Sequence, residues 1–478
     1  MKRKLIVFEA NEIPFKVIDR FCQLFPNSCL AKTLSSCTQF VTYDDSIDRG
    51  RTPQPTFSWP SIHRGVNDPT HQIYSFNQEL SEVDEIYPPI WKILTSSGIK
   101  VGLLGAFHSY QSFPETDELK ENYAFYVPDV FSQDGKAHPS YLQIFQDYNL
   151  KMTRASARNV DRDLHFKKML KILDQAHQFG IRPSTILEIA IHLIEEKYRP
   201  WVSTRRRNHQ VTLSFDIFLK HLKRSRPDYA VFFANNIAAA MHRYWAATFP
   251  EDFATLQVDR DWIDRYAGEI DRSVLTFDRC LKTLISYVDR HPEYKLICMG
   301  GIGQAAREAV WFNSELYITD WSRFMNFMGV EPGHWRSIVA MIPMFNVLVS
   351  PECRSQFRSA VQDLRIDGRA VDVREQKNGM FAMCLGHANQ SEDCISFRGK
   401  RYNIRELGME NVEIEDRSSR SGYHIPTGSL WVYDPLSKKP QSDGRMKIST
   451  LDICPTLLSA FKIPVPAYMK GNLVEALL

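Results

Sequence analysis

Short apolar runs in this chain are flanked by residues able to bind a metal ion or move a proton. Glu9, Asn11 and Glu12 follow the run Leu5 to Phe8. Asn235 and Asn236, with His242 further on, follow Tyr229 to Phe233. Gly300, Gly301 and Gln304 follow Leu296 to Met299, and His424 stands ahead of Leu430 to Tyr433. Imidazole nitrogens with carboxylate or amide oxygens from separate segments form a donor set for one divalent ion, or for general acid–base work. A further segment, Pro55 to Gly65, places Ser58 and Ser61 around Trp59-Pro60 and continues to His63 and Arg64. A hydroxyl ahead of an x-Pro step suits a nucleophile at a helix N-terminus, where proline pre-sets the first turn and free N–H groups stabilise anions. Arg64 and Arg243 are then candidates for an oxyanion clamp. Taken singly, each residue also reads as a surface acid, a turn asparagine or a core histidine; the set points to a site.

The elements that must position these residues can be read from the spacing of apolar side chains. Runs of four to six apolar residues without alternation, including Val101 to Leu104, read as strands buried on both faces. Helical periodicity lies between them, as in Trp262 to Val288 with Ile263, Tyr266, Ile270, Val274, Phe277 and Leu281. The alternation predicts an α/β three-layer sandwich around a mostly parallel sheet, with ligands gathering beyond the carboxyl ends of the strands. The core is expected from residues 1–150, 227–330 and 419–478. Residues 151–226 read as a helical cap insertion with 17 basic and 7 acidic residues, a charge of 17 − 7 = +10 against 3 − 10 = −7 elsewhere. Within it Thr185 and Glu188 have capping-box spacing ahead of an apolar helix containing Ile186, Leu187, Ile189, Ile191, Leu193 and Ile194, and Arg205-Arg206-Arg207 follows. The expectation is a helical cap with a solvated basic face, and the functional alternative is an anion-attracting surface for a polyanionic substrate or for peripheral membrane contact. Residues 331–418 read as a small α/β subdomain.

Composition removes several classes. The chain has 478 residues, 44% hydrophobic and 24% charged, and a net charge of 59 − 56 = +3, so nothing favours disorder or nucleic acid as a partner. Its nine cysteines include no C-x-x-C pair, which suits a reducing compartment. Met1-Lys2-Arg3-Lys4 precedes an apolar run too short for a signal sequence, and no stretch is long enough for a transmembrane segment. The expected localisation is cytoplasmic.

Ser58-Trp-Pro-Ser61 resembles the nucleophile motif of the alkaline phosphatase superfamily, in particular its type I phosphodiesterase and nucleotide pyrophosphatase branch. Asp68-Pro-Thr-His71 is similar to the Pro-x-x-His step that follows it there. Met241-His242-Arg243-Tyr244 resembles a Gly-His-Arg-Tyr metal-ligand segment, and Ser421-Gly-Tyr-His424 the last histidine ligand. Leu451-Asp-Ile-Cys-Pro455-Thr456, with Met469-Lys-Gly471 beyond, is the most specific match, to the closing Asp-x-x-Pro-Thr helix. The order covers most of the chain outside 151–226 and 331–418. It implies an alkaline-phosphatase-like sandwich and a phosphoric-ester hydrolase, with Ser58 as nucleophile.

The departures narrow that expectation. Glu9 stands where the family has its first aspartate, Ala238 four residues before His242, and Gly300-Gly301 where an Asp-His pair is expected. Losing that pair removes two strong ligands, so the expectation is at most one divalent ion, zinc first and manganese or magnesium after it, on His242 and His424 with Glu9 or Asn235 completing the shell. The expected ligand is a phosphorylated small molecule or a glycan- or lipid-linked phosphate. The alternative is a degenerate member that binds a phosphorylated ligand or a protein partner without turnover. A sulfatase is disfavoured because Ile62 replaces the arginine of the C/S-x-P-S-R motif.

Overall fold

Strand β1, Lys4–Ala10, is the centre from which the molecule is built. Its side chains alternate between two apolar layers, Ile6, Phe8 and Ala10 on one face and Leu5 and Val7 on the other. This computed structural model describes residues 3–112, 121–154, 159, 172–255, 258–308, 312–341, 344–385, 387–418, 421–437 and 444–477. Parts of the expected cap insertion, 155–158 and 160–171, therefore lie outside the described residues.

Around β1 stand β2 (Thr38–Tyr43), β3 (Val101–Leu104), β4 (Tyr123–Val127), β5 (Tyr229–Ala234) and β6 (Tyr294–Met299). With strands Thr427–Tyr433 and Met446–Ser449 they form an eight-stranded sheet. Its order is 446–449, β2, 427–433, β6, β1, β5, β3, β4. All pairings are parallel except those of Thr427–Tyr433 with β2 and β6. The carboxyl ends of β1, β2, β5 and β6 therefore share one edge with the start of Thr427–Tyr433.

Helices cover both faces, which gives the α/β three-layer sandwich. On one face the helix Glu269–Arg290 buries Ile270, Val274, Phe277, Leu281, Leu284 and Val288 at helical spacing. Each such side chain contributes roughly 1.5–3 kcal/mol of gross burial. The expected continuous helix from Trp262 is two helices, Arg260–Tyr266 and Glu269–Arg290, with Gly268 between them. On the other face lie Pro55–Arg64 and Ile453–Ala460. A third apolar cluster, drawn from residues between Leu316 and Met409, forms the core of the small antiparallel sheets.

The segment expected as a cap contributes Pro183–Tyr198 and Arg206–Ser225, and the second of these buries Phe215, Ile217, Phe218 and Leu222 in the same apolar layer as Phe8 and Phe232 of the central sheet. Thr185 does not cap the first of these. The helix starts at Pro183, and the Thr185 hydroxyl donates to Asp216 Oδ2 at 2.7 Å. The proline supplied the first turn that the capping-box spacing had assigned two residues later. The C-terminal motif is a clasp: Asp452 Oδ2 accepts from Ser449 N at 2.9 Å, its Oδ1 accepts from Asn472 N at 2.7 Å, and Thr456 Oγ1 accepts from Val474 N at 3.1 Å. Among the described residues no helix is long and apolar enough to cross a membrane.

Candidate active site

Glu12, His242 and His424 converge at the carboxyl edge of the sheet, their ligand atoms all within 4.8 Å of one another. Among the described residues this is the only group of three or more acidic, histidine or cysteine side chains so placed. Glu12 leaves β1 on a left-handed turn (φ 63°), a backbone conformation that costs a non-glycine residue energy and marks sites where surroundings over-determine the chain. Its N–H is held by Gly300 O at 2.8 Å. His242 sits midway along the helix Asn236–Thr248, which follows β5. His424 lies on Gly422–Ile425, whose ladder with β7 (Gly303–Ala306) sets it opposite Gln304.

Gly422 explains how strand and helix come together. A Cβ there would lie 2.4 Å from Met241 O, so only glycine allows the approach that brings Gly422 O to 2.9 Å from His242 Nδ1. Nδ1–H donation to that carbonyl leaves Nε2 facing Glu12 Oε2 at 3.2 Å. His424 Nε2 stands 3.3 Å from the same oxygen, and its Nδ1 is buried without a partner. A bare imidazole nitrogen and a carboxylate oxygen are both acceptors, so the cluster needs a cation among them, either protons or a metal ion. Two imidazoles and one carboxylate fit a divalent ion of the zinc type, and three protein donors leave a position open. Burial pushes the Glu12 carboxyl up, but the charges and hydrogen bonds of His424 and His242 outweigh it and hold the group well below the usual carboxylate range. Gln304 Nε2 donates to Glu12 Oε2, and Asn11 Nδ2 donates to Glu12 Oε1 at 2.8 Å.

Glu9 is not in this cluster. It faces the Leu5 and Val7 side of β1, fully buried, and Glu9 Oε1 pairs with His63 Nε2 at 2.8 Å. The pleat decides this: Glu9 lies within the strand and must alternate, whereas Glu12 lies beyond it. Asn235 meets the cluster through Asn11, whose Nδ2 donates to Asn235 Oδ1 at 2.7 Å.

Ser58 has a partner the sequence did not suggest. Its hydroxyl donates to Asp44 Oδ2 at 2.5 Å, and Asp44 follows β2 on the same edge of the sheet. Ser58 is the fourth residue of its helix, with its N–H already bonded to Gln54 O at 2.9 Å; Pro55 has no N–H and that of Phe57 is bonded to the same carbonyl at 3.1 Å, so the helix start does not offer Ser58 the free N–H groups expected. Two links join this helix to the cluster. Trp59 Nε1 donates to Asn11 Oδ1 at 2.7 Å, and Gln54 Nε2 donates to the hydroxyl of Tyr423, next to His424, at 3.1 Å. Gly301 (φ 73°) allows the third side to close, since a Cβ there would press on Trp59 and Ile62 at 3.1 and 3.2 Å.

The two expected arginines are committed elsewhere. Arg64 is fully buried at the far end of its helix and donates to Asp84 Oδ1 at 2.7 Å. Arg243 Nη1 donates to Asp416 Oδ2 at 3.1 Å, and the Tyr244 hydroxyl donates to the same oxygen at 2.6 Å. An exposed cation does stand at the mouth: the guanidinium of Arg307 lies 4.4 Å from the Tyr423 ring centre. Asp44 and Arg307 were missed because neither lies near a motif; the one available signal for Asp44 was its place after the run Phe40-Val41-Thr42-Tyr43.

No protein-family model matches the chain, and no curated protein sequence does. Solved structures similar in shape at low identity include the following three. Murine ectonucleotide pyrophosphatase/phosphodiesterase 5 is 10% identical, with 98% of each chain covered and a TM-score of 0.41. Wild-type alkaline phosphatase PafA is 11% identical over 100% of this chain and 99% of that one, with a TM-score of 0.45. Phosphonoacetate hydrolase from Sinorhizobium meliloti, in complex with phosphonoacetate, is 12% identical over 96% and 95%, with a TM-score of 0.39. All three are members of the alkaline phosphatase superfamily.

Proposed function

We propose that this protein is a phosphoric-ester hydrolase of the alkaline-phosphatase-like type, in which Ser58 is the nucleophile and Glu12, His242 and His424 hold one divalent ion. The observation that carries this reading is the convergence of those three side chains on one edge of the sheet, tied by hydrogen bonds to the helix bearing Ser58. Asp44 accepts the Ser58 proton as Oγ attacks phosphorus, the ester P–O bond breaks and the proton passes to the departing alkoxide; water then cleaves the phosphoserine, releasing phosphate and returning Ser58 to its hydroxyl. His242 is oriented by Gly422 O, and Gln304 and Asn11 fix both oxygens of Glu12. A bound divalent ion supplies Lewis-acid stabilisation of phosphoryl oxygens. Arg307, in place of Arg64 and Arg243, attracts the anionic substrate to the mouth.

The substrate class under this reading is a phosphorylated small molecule or a glycan- or lipid-linked phosphate. The division into a core of 1–150, 227–330 and 419–478 with insertions at 151–226 and 331–418 belongs to the same proposal. Nine unpaired cysteines support a reducing, cytoplasmic setting.

A second reading, a binder of phosphorylated ligands without turnover, is favoured by Gly300-Gly301, which offers no ligand side chain where an Asp-His pair would stand. The deciding experiment is an assay of zinc- and manganese-loaded protein on p-nitrophenyl phosphate and bis-p-nitrophenyl phosphate. Metal-dependent release from either substrate that disappears with Ser58→Ala supports the hydrolase. Tight metal and phosphate binding without release from any phosphoester supports the binder.

A further inference from the structure

We propose that the outer face of the helix Pro183–Tyr198 docks on an anionic lipid surface. Leu187, Ile191, Ile194 and Tyr198 are 61, 57, 58 and 83% exposed. At about 100° per residue these four fall within an arc of roughly 60°. The opposite side of the same helix packs inward through polar groups beside Ile186 and Ile189. Thr185 donates to Asp216, His192 is buried with its ring 4.4 Å from that of His209, and Glu196 Oε2 accepts from Arg206 Nη2 at 2.6 Å. A water-facing helix would keep its outer side polar. An apolar stripe left outward marks a surface with an apolar partner.

Charge selects the partner. The helix's acids are drawn into ion pairs, Glu188 with Arg279 at 3.2 Å, Glu195 with Arg205 at 3.3 Å and Glu196 with Arg206. Lys197 and Arg199 stand exposed beside Tyr198, Arg199 also reaching Glu195 at 3.7 Å, and residues 172–226 carry 10 basic against 5 acidic residues. A second copy of the chain would set this positive insertion against itself, whereas an anionic bilayer offers both apolar depth and the complementary charge. The tyrosine at the end of the stripe, with its apolar ring and polar tip, suits the headgroup level. Docking there would orient the active site, because the segment just beyond the helix is bonded to the His242 helix: the Thr204 hydroxyl donates to that of Tyr244 at 2.9 Å and Asn236 Nδ2 donates to Asn208 Oδ1 at 2.9 Å.

The test is co-flotation of the full chain with phosphatidylcholine vesicles, with and without about 30% phosphatidylglycerol. Wild type should float with the anionic vesicles. Ile191→Glu with Ile194→Glu should weaken that binding at least about tenfold, and Lys197→Glu with Arg199→Glu several-fold. Tyr198→Trp in the otherwise native chain gives a second readout: its emission should shift to the blue on adding anionic vesicles. Wild type that floats with neither vesicle, or an unshifted Tyr198→Trp emission, overturns the proposal. So does a concentration-dependent dimer, abolished by Ile191→Glu with Ile194→Glu, in a protein that ignores vesicles. Every readout is binding, so the result is independent of whether phosphoesters are cleaved.

Discussion

Two acid–imidazole groups begin at the same strand and have opposite surroundings. Glu9 and His63 are sealed in the apolar layer, the imidazole between the rings of Trp59 and Trp91 at 5.6 and 4.9 Å. Glu12, three residues on, meets two imidazoles at the edge of the sheet, and His242 keeps 29% of its side chain exposed. The sealed pair has one acid for one histidine and no route for a ligand. The open group has two histidines for one carboxylate oxygen, an orienting carbonyl on Gly422 and access to solvent. Access separates chemistry from packing here, since the residue types are the same and Glu9 Oε2 and His63 Nδ1 are likewise buried without a partner.

The predictions test that division. The largest effect should come from Ser58→Ala, which removes the proposed nucleophile, a buried hydroxyl bonded to Asp44. Turnover of a phosphoester should fall by about a thousandfold or more, while equilibrium dialysis finds metal binding unchanged. Next, His63→Ala should break the sealed pair and cost about 3–5 kcal/mol of stability in urea unfolding, with metal affinity preserved in the fraction that folds.

Acid should act on the sealed side first. Burial, with the Arg64 charge adding to it, pushes His108 down to about 3 and His71 well below the ordinary value. Above about pH 6.5 these rings are neutral both folded and unfolded, and stability is at its full value. As pH falls below that, the unfolded chain takes up protons that the folded one refuses. Thermal melts should therefore lose stability progressively from about pH 6.5 toward pH 3, on the order of 4 kcal/mol from His108, and His108→Gln should flatten the slope. The smallest effect concerns the mouth: Arg307→Ala should raise KM for an anionic ester several-fold, about 1 kcal/mol, with kcat and metal content little changed.

Much of the fold was legible because its central strands are buried on both faces and so lack polar interruptions. Leu5 to Phe8, Tyr229 to Phe233 and Leu296 to Met299 are cores of β1, β5 and β6. The strand β2 was not read, because Thr38, Gln39, Thr42 and Tyr43 dilute its apolar signal, and with it went Asp44. His242 and His424 could be picked out because strand ends gather ligands. The choice between Glu9 and Glu12 depends on where β1 stops alternating, and strand ends are the least determined part of a sequence pattern. Arg64 and Arg243 sit in the right motifs, but their acidic partners, Asp84 and Asp416, come from distant segments that no local spacing reveals.

The central claim is that Glu12, and not Glu9, completes a metal centre with His242 and His424. Isothermal titration of zinc into metal-free wild type, Glu12→Gln and Glu9→Gln tests it directly. The structure predicts one ion per chain for wild type, affinity lowered about a hundredfold or more for Glu12→Gln, and affinity near wild type for Glu9→Gln despite its lower stability. Binding that survives Glu12→Gln and is lost in Glu9→Gln, or a wild type that takes up no ion, would contradict it.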